Sequence, residues 1–326
     1  MIIVRFTSGL GNQMFQYSFY RFLKDLYSDV PVKADLTWFY ANNDHNGYEL
    51  ERIFGKVADS DFSIEEATKG EIFKVTGLVP NMVRGGGTGS RAFEKFRRYP
   101  NRIIREFTQK KREPYIIDQL SGKICNEDSA DGHNEMYEKV THLDTAKDWY
   151  ICGFWIEEKY LYGRLEEIRK QLRFPEIEDE RNINLSDEIR SCNSVSIHVR
   201  RGDYLSATYE NMFVSLGRDY YEKAVGYIKD RVDEPKFFIF SDDADFVRNE
   251  FTWLDDKCIV TGNEGDESFR DMQLMSLCKH NIIANSTFSQ WGALLNENEG
   301  HMALYPAAYL KDRDNEVKKM PGWIRI

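Results

Sequence analysis

MIIVRFTSGLGNQMFQYSFY, residues 1–20, is the stretch from which the fold is read. An apolar, β-branched run (IIVRF) passes through SGLGN into MFQYSFYRFLKDLY, whose apolar residues repeat at helical spacing. The stretch therefore predicts a strand, a glycine turn and a helix from Asn12 to about Tyr27, followed by a strand near VKADL. A helix that starts from such a turn offers unpaired N–H groups and a positive dipole to a phosphate. The spacing is not the dinucleotide fingerprint, because a third glycine would stand where the chain has Met14. On the residues alone, a phosphate turn and an ordinary tight βα turn both stand.

Outward from there the rhythm changes. Glycines crowd in RGGGTGS, residues 84–90, compatible with a lid and, more simply, with a surface loop. Residues 91–113 are strongly basic with apolar residues at helical spacing, which fits a solvated helix face or a peripheral contact with anionic lipid. WYICGFW reads as a strand, and a helix from about Glu157 ends at Phe174, before Pro175. The acidic FPEIEDER reads as the crossing between domains. Beyond it the alternation is regular: VSIHV, helix, KFFIF, helix, CIV, helix, NIIA, helix, HMALY. That pattern specifies a doubly wound, mainly parallel sheet whose ligands bind beyond the carboxyl ends of the strands.

The 326 residues exceed what one core usually supports, so two domains are expected: 1–174 and 175–307, with a tail of about 308–326 returning to the first. A composition of 41% hydrophobic and 30% charged residues belongs to a folded globular chain. The net charge of −10 argues against wholesale nucleic-acid binding, so an anionic ligand must meet a local basic cluster. Five cysteines without a C-x-x-C suggest neither a disulfide framework nor a zinc site and fit a reducing compartment. No apolar run is long enough to span a bilayer, and no signal-peptide layout opens the chain. A cytoplasmic protein is expected, with peripheral contact at the inner membrane as the variant through residues 91–113.

Three polar clusters fall on predicted strand ends: HVRRGDY, SDD and NSTFS. The first holds His198, Arg200, Arg201 and Asp203. Two guanidiniums at one strand end suit phosphate oxygens at any working pH. Arg200 alternates with His198 and is the expected pyrophosphate ligand, while Arg201 is expected to pair with Asp203. In SDDAD, Asp243 and Asp245 form a D-x-D that can hold a divalent metal, but a helix cap from Ser241, Asp242 or Asp243 explains the same residues. Asn285, Ser286, Thr287, Phe288 and Ser289 read as a further helix start open to phosphate. Asp271 is a candidate for the guanine edge, a carboxylate accepting two N–H bonds, with a helix-face ion pair as the plain alternative.

Taken together, SGLGNQMFQYS, HVRRGDY, FFIFSDD and LMSLCKHNIIANSTFSQWGALL resemble the α-1,2-fucosyltransferases of glycosyltransferase family 11. The four motifs run in the family's order from residue 8 to residue 295. One departure is Gln290 before Trp291, where members often carry two tryptophans. The resemblance implies a GT-B-like α/β fold, two Rossmann-type domains facing across a cleft. It implies inverting transfer of L-fucose from GDP-β-L-fucose to the 2-hydroxyl of a terminal galactose, with no metal or other cofactor. It maps the donor β-phosphate to Arg200, with His198 and Asp203 shaping the same pocket. It sets Gly11, Asn12 and Gln13 against the donor from the other domain. Arg201 and Asp242 complete the donor-side candidates. The expected partners are GDP-fucose and a galactose-terminated oligosaccharide; the base that takes the acceptor proton is not assigned. Two other readings stay open: a metal-dependent sugar or nucleotidyl transferase using Asp243 and Asp245, and a non-catalytic GDP-sugar or glycan binder.

Overall fold

The structure, a computed structural model, describes residues 1–41, 45–77, 115–118, 130–201, 214–308 and 320–326. Asp203, the glycine-rich residues 84–90 and the basic residues 91–113 lie outside the described residues. The chain divides into two α/β units, Met1–Arg173 and Phe174–Ile326. The boundary falls one residue before the expected one.

In the first unit β1 (Ile2–Arg5), α1 (Leu10–Leu26) and β2 (Val32–Asp35) realise the strand, turn and helix read from the opening residues. The helix begins two residues earlier than predicted. Gly9 takes the cap position with extended backbone and no side-chain cap, and Ser8 before it takes a positive φ of 67°. Such a conformation costs a non-glycine residue free energy unless its surroundings hold it. They do so through two buried glutamines of α1. Gln13 donates to the Ser8 and Gly47 carbonyls, both at 2.8 Å, and accepts from the Glu49 N–H at 3.0 Å. Gln16 accepts from the Thr7 N–H and donates to the Gly153 carbonyl. The short helices α2 (Trp38–Ala41) and α3 (Leu50–Ile53) lead to α4 (Lys69–Thr76). The last is started by a reciprocal capping box between Thr68 and Glu71. Then follow β3 (Ile116–Asp118), α5 (Ala130–Thr141), β4 (Trp149–Cys152) and α6 (Leu165–Gln171). The sheet is wholly parallel among these strands, in the order β2-β1-β4-β3.

The second unit holds α7 (Glu180–Ser191), β5 (Asn193–Val199), α8 (Arg218–Lys229), β6 (Pro235–Ser241) and α9 (Ala244–Glu250). These are followed by β7 (Lys257–Val260), α10 (Phe269–Leu277), β8 (His280–Ile282), α11 (Thr287–Leu294), β9 (Ala303–Tyr305) and β10 (Ile324–Arg325). Every described pairing is parallel, in the order β10-β9-β8-β5-β6-β7. The central strands are apolar on both faces. Val195, Ile197 and Val199 pack with Tyr220, Tyr221, Phe237 and Ile239 on one side, while Phe238 and Phe240 pack with Leu274 and Met275 on the other. A strand covered on both faces reads as a continuous apolar run, as FFIF does.

Two features go beyond the expected boundaries. The acidic crossing contains the start of a helix, α7, whose cap is Asp179; its inward face mixes Asn182 and Ser186 with Leu185 and Ile189, so its apolar stripe is short and interrupted. Among the described closing residues, Ile324 and Arg325 belong to the second unit, where they add a strand beside Leu304 and Tyr305. Residues 309–319 lie outside the described residues.

Candidate functional site at the carboxyl edge of the second sheet

Four strands deliver polar residues to one edge. In sheet order these are Asn285 after β8, Arg200 after β5, Asp242 after β6 and Asn263 after β7. Three strand spacings separate the outer two, about 14 Å at ~4.8 Å each, which is the scale of an extended nucleoside diphosphate.

Arg200 and Asp242 form an ion pair, Nη1 to Oδ2 at 2.7 Å, each side chain one-quarter exposed. The other oxygen of Asp242 accepts the backbone N–H of Arg201 at 2.9 Å. Asp203, the expected partner of Arg201, lies outside the described residues. The carboxylate partner of Arg201 among the described residues is Asp243, at 3.3 Å, and the Arg201 guanidinium lies 3.5 Å over the Phe246 ring. Asp243 also caps α9 by accepting from the Phe246 N–H. Asp245 pairs with Arg248. The two D-x-D carboxylates thus turn to separate guanidiniums, and among the described residues no group of three or more His, Cys, Asp or Glu gathers as a metal site.

His198 is buried on β5, on the face alternate to Val199. Burial first, and the neighbouring Arg200 charge second, push its imidazolium pKa down to about 3. The ring is therefore neutral at working pH. Its Nδ1 has no hydrogen-bond partner among the described residues, and the ring stands 5.8 Å from Phe288.

The helix start at Asn285 to Ser289 divides into two kinds of residue. Asn285 donates to the Val214 carbonyl at 2.8 Å. Ser286 is the cap of α11, accepting from the Phe288 N–H. Ser289 is buried and accepts from the Ala284 N–H while donating to the Ser286 carbonyl. It therefore holds the turn together, and Ser286 and Thr287 occupy the end of the helix.

Asp271, in α10, accepts from Asn263 Nδ2 at 2.8 Å. Desolvation raises its carboxyl to about 7, against the opposing effects of the Asn263 bond and the Arg181 charge. Asn263 is in turn held by Arg181 and Asn182. Arg181 lies across Gly262, which has φ +88°, so closely that a Cβ there would collide with the guanidinium. Sequence reasoning missed Arg181, Asn182 and Asn263. Yet TGN follows the strand CIV as SDD follows FFIF, and that parallel was the available signal.

In the first unit the three opening-turn candidates separate. Gly11 and Gln13 are buried, with Gln13 spent on the backbone bonds described above, whereas Asn12 keeps part of its surface exposed in the first turn of α1.

Comparison with known proteins adds the following. The family model described as glycosyl transferase family 11 matches residues 104–326. An alpha-1,2-colitosyltransferase of Escherichia coli is 30% identical over an alignment spanning 100% of this chain and 99% of that protein. Galactoside alpha-(1,2)-fucosyltransferase 2 of Rattus norvegicus is 28% identical over 57% of this chain and 62% of its own length. The crystal structure of fucosyltransferase NodZ from Bradyrhizobium superposes with a TM-score of 0.50 at 16% identity, covering 90% of this chain and 92% of that one. The last is a likeness of fold, and the fold is the GT-B-like α/β class.

Proposed function

The chain belongs to glycosyl transferase family 11, and from that membership we propose that it transfers L-fucose from GDP-β-L-fucose to the 2-hydroxyl of a terminal galactose, inverting the anomeric centre to give an α-1,2-fucoside. The chain is a glycosyltransferase; the fucosyl donor and galactose acceptor are our reading. The observation that carries it is the placement of Arg200, a half-buried guanidinium at the carboxyl end of a central parallel strand, steadied by Asp242.

As the glycosidic C–O bond breaks, the sugar gains positive character and the leaving GDP gains negative charge on its β-phosphate. A guanidinium fixed before the reaction stabilises that charge without reorganising, and is worth more in a half-buried site than in water. Arg200 is assigned this role. Arg201, bonded to Asp243 and stacked on Phe246, contributes charge at longer range and holds the strand end in shape. Neutral His198 adds no competing positive charge and walls the site beside Phe288. The α11 start offers its first N–H groups to phosphate. Ionised Asp271 accepts guanine N1–H and N2–H, which adenine cannot supply. The guanidinium pair supplies the charge that a metal would otherwise provide, so turnover is proposed to be metal-independent.

The full-length relative that transfers colitose favours a second reading, a colitosyl donor at the same site. The deciding experiment offers GDP-fucose and GDP-colitose with a panel of β-galactosides, with and without EDTA, and determines the linkage of any product. An α-1,2-fucoside formed in EDTA supports the first reading. Turnover of GDP-colitose alone selects the second, and turnover that needs added manganese returns Asp243 and Asp245 to consideration.

A further inference from the structure

The polar chain that ends at Asp271 runs in one chemical direction. Arg181, in the first turn of α7, donates from Nη1 to the Thr261 carbonyl at 2.9 Å and from Nη2 to Asn263 Oδ1 at 2.5 Å. Asn182 beside it donates to the same Oδ1 at 2.9 Å, and its amide is itself held by Asp179, whose carboxylate accepts from it. Asn263 Nδ2 then donates to Asp271 Oδ1 at 2.8 Å. Gly262 makes the route possible, because a Cβ at that position would stand 1.6 Å from Arg181 Nη1.

A guanidinium has no acceptor, so it fixes which end of the Asn263 amide faces it. With Oδ1 turned to Arg181, the N–H end must face Asp271, and a donor there favours the ionised carboxylate over the acid. The reversed amide would set oxygen against oxygen unless Asp271 carried a proton. Arg181 and Asn263 thus both select the ionised form, against the burial that raises this carboxyl. Arg270, the residue before Asp271 in α10, is engaged elsewhere: it donates to Glu267, to Gln273 and to the carbonyls of Pro175 and Glu176.

One oxygen of Asp271 is left over. Among the described residues no hydrogen bond reaches its Oδ2, and that atom is not one of the enclosed orphaned ones, so it opens to the surface of a partly buried residue. A network built only to brace α7 against the connection from β7 to α10 would close on both oxygens, since a carboxylate oxygen left unmet in a partly buried place is costly. Asn263 also stands at the β7 end of the strand-end row, with Arg200 and the α11 start on β5 and β8. A nucleoside diphosphate whose phosphates meet those groups turns its base toward β7.

We propose that Arg181 is a positioning residue for base recognition: acting through Asn263, it aims the Asp271 carboxylate at the guanine edge and sets the preference for guanine over a base that lacks the 2-amino group. The proposal rests on the donor reading above and adds a residue from outside the strand-end motifs.

The test compares GDP with inosine diphosphate, which lacks only that amino group, by calorimetric titration of the full chain. A bond from the amino group to a carboxylate should give wild type about a tenfold or greater preference for GDP. Arg181→Met should bring the ratio to within about threefold, while Arg181→Lys, which also carries donors alone, should keep most of it. A merely structural loss would lower both affinities by one factor and leave the ratio where it was. A wild-type ratio in Arg181→Met therefore overturns the positioning role. Arg181 is exposed on α7; should its Met variant nevertheless fail to fold, Asn263→Asp carries the test. That variant keeps the shape, has no N–H for Asp271, and must lose the preference for the proposal to stand. Failure of the donor reading looks different. A wild type that does not distinguish the two nucleotides, or a preference that survives Asp271→Asn, removes guanine from Asp271 and the proposal with it. A preference lost in Asp271→Asn yet intact in the Arg181 and Asn263 variants sinks the positioning role alone.

Discussion

Asp242 holds two arginines at once: one carboxylate oxygen takes Arg200 Nη1 at 2.7 Å, and the other takes the backbone N–H of Arg201 at 2.9 Å. The end of β5 is thereby pinned to the end of β6, and the guanidinium assigned to the leaving group is positioned by a residue on a neighbouring strand.

Arg200→Lys keeps the charge and removes the planar fork. Loss of a preorganised donor should cost roughly 3–4 kcal/mol at the transition state, about a hundred- to a thousandfold in kcat, with a smaller change in donor affinity. Arg201→Lys is expected to be milder. Single-turnover rates and GDP-fucose binding for both variants decide it; equal losses would remove Arg200 from the leaving-group role.

The Asp271 carboxyl, raised to about 7 by burial, should make nucleotide affinity depend on pH. Its ionised form is the one that accepts from guanine, so GDP should bind more tightly as pH rises from 6 to 8, and this dependence should vanish in Asp271→Asn. Stability has the opposite sign. Because the folded pKa lies above the unfolded value, the folded state loses relative stability as pH rises from about 4 to 7. Asp271→Asn should therefore melt higher than wild type at pH 8. Calorimetric titrations and melts at both pH values read the two effects separately.

His198 gives the complementary slope. Its folded pKa of about 3 lies below the unfolded value of about 6.5, so the unfolded chain binds the proton first as pH falls. The stability it contributes is fully present above pH 6.5 and declines toward pH 3, by up to about 1.4 kcal/mol per pH unit. Urea unfolding of wild type and His198→Gln at pH 5 and 7 should show a shallower pH dependence in the variant, whatever its absolute stability. Equal slopes would mean that His198 is solvated in the protein.

Adjacent residues of α1 should behave in opposite ways. Gln13→Ala strands backbone groups at Ser8, Gly47 and Glu49, and should cost about 1–3 kcal/mol or more of stability. Asn12→Ala should leave the melting temperature nearly unchanged and slow transfer, if the partly exposed amide meets the donor. Thermal melts and transfer rates for the pair separate scaffold from site.

Both Rossmann-type units announce themselves locally, because strand, glycine turn and helix at residues 2–26, and the run from VSIHV to HMALY, each carry their period in a short window. The strand-end clusters of the second unit were legible for the same reason: HVRR, SDD and ANS each follow an apolar run. What could not be read was anything set by register. Arg5, Asp35, Asp118 and Cys152 are far apart in the chain and become neighbours only when four strands align. Gln13 looked like part of a ligand loop because a buried amide serving backbone carbonyls and a ligand-facing amide have the same letter. Helix α7 was missed because Asn182 and Ser186 interrupt the apolar residues Leu185 and Ile189 on its buried face.

The placement of β1 between β2 and β4 bears on how the chain reaches this state. One side of β1 can pair as soon as Val32 to Asp35 have been made, but the other side waits for Trp149 to Cys152. At roughly 5–20 residues per second of synthesis, that leaves Ile2, Ile3 and Val4 with an open backbone edge for something like 6–24 seconds. In the second unit β5 meets β6 some 40 residues later and its other partner, β8, some 85 residues later, sooner than β1 meets β4. Long-range parallel pairing is slow because its closure entropy is met before its contacts form. The first unit is therefore the aggregation-exposed half of a nascent chain, and overproduction should tax its folding before that of the half that follows.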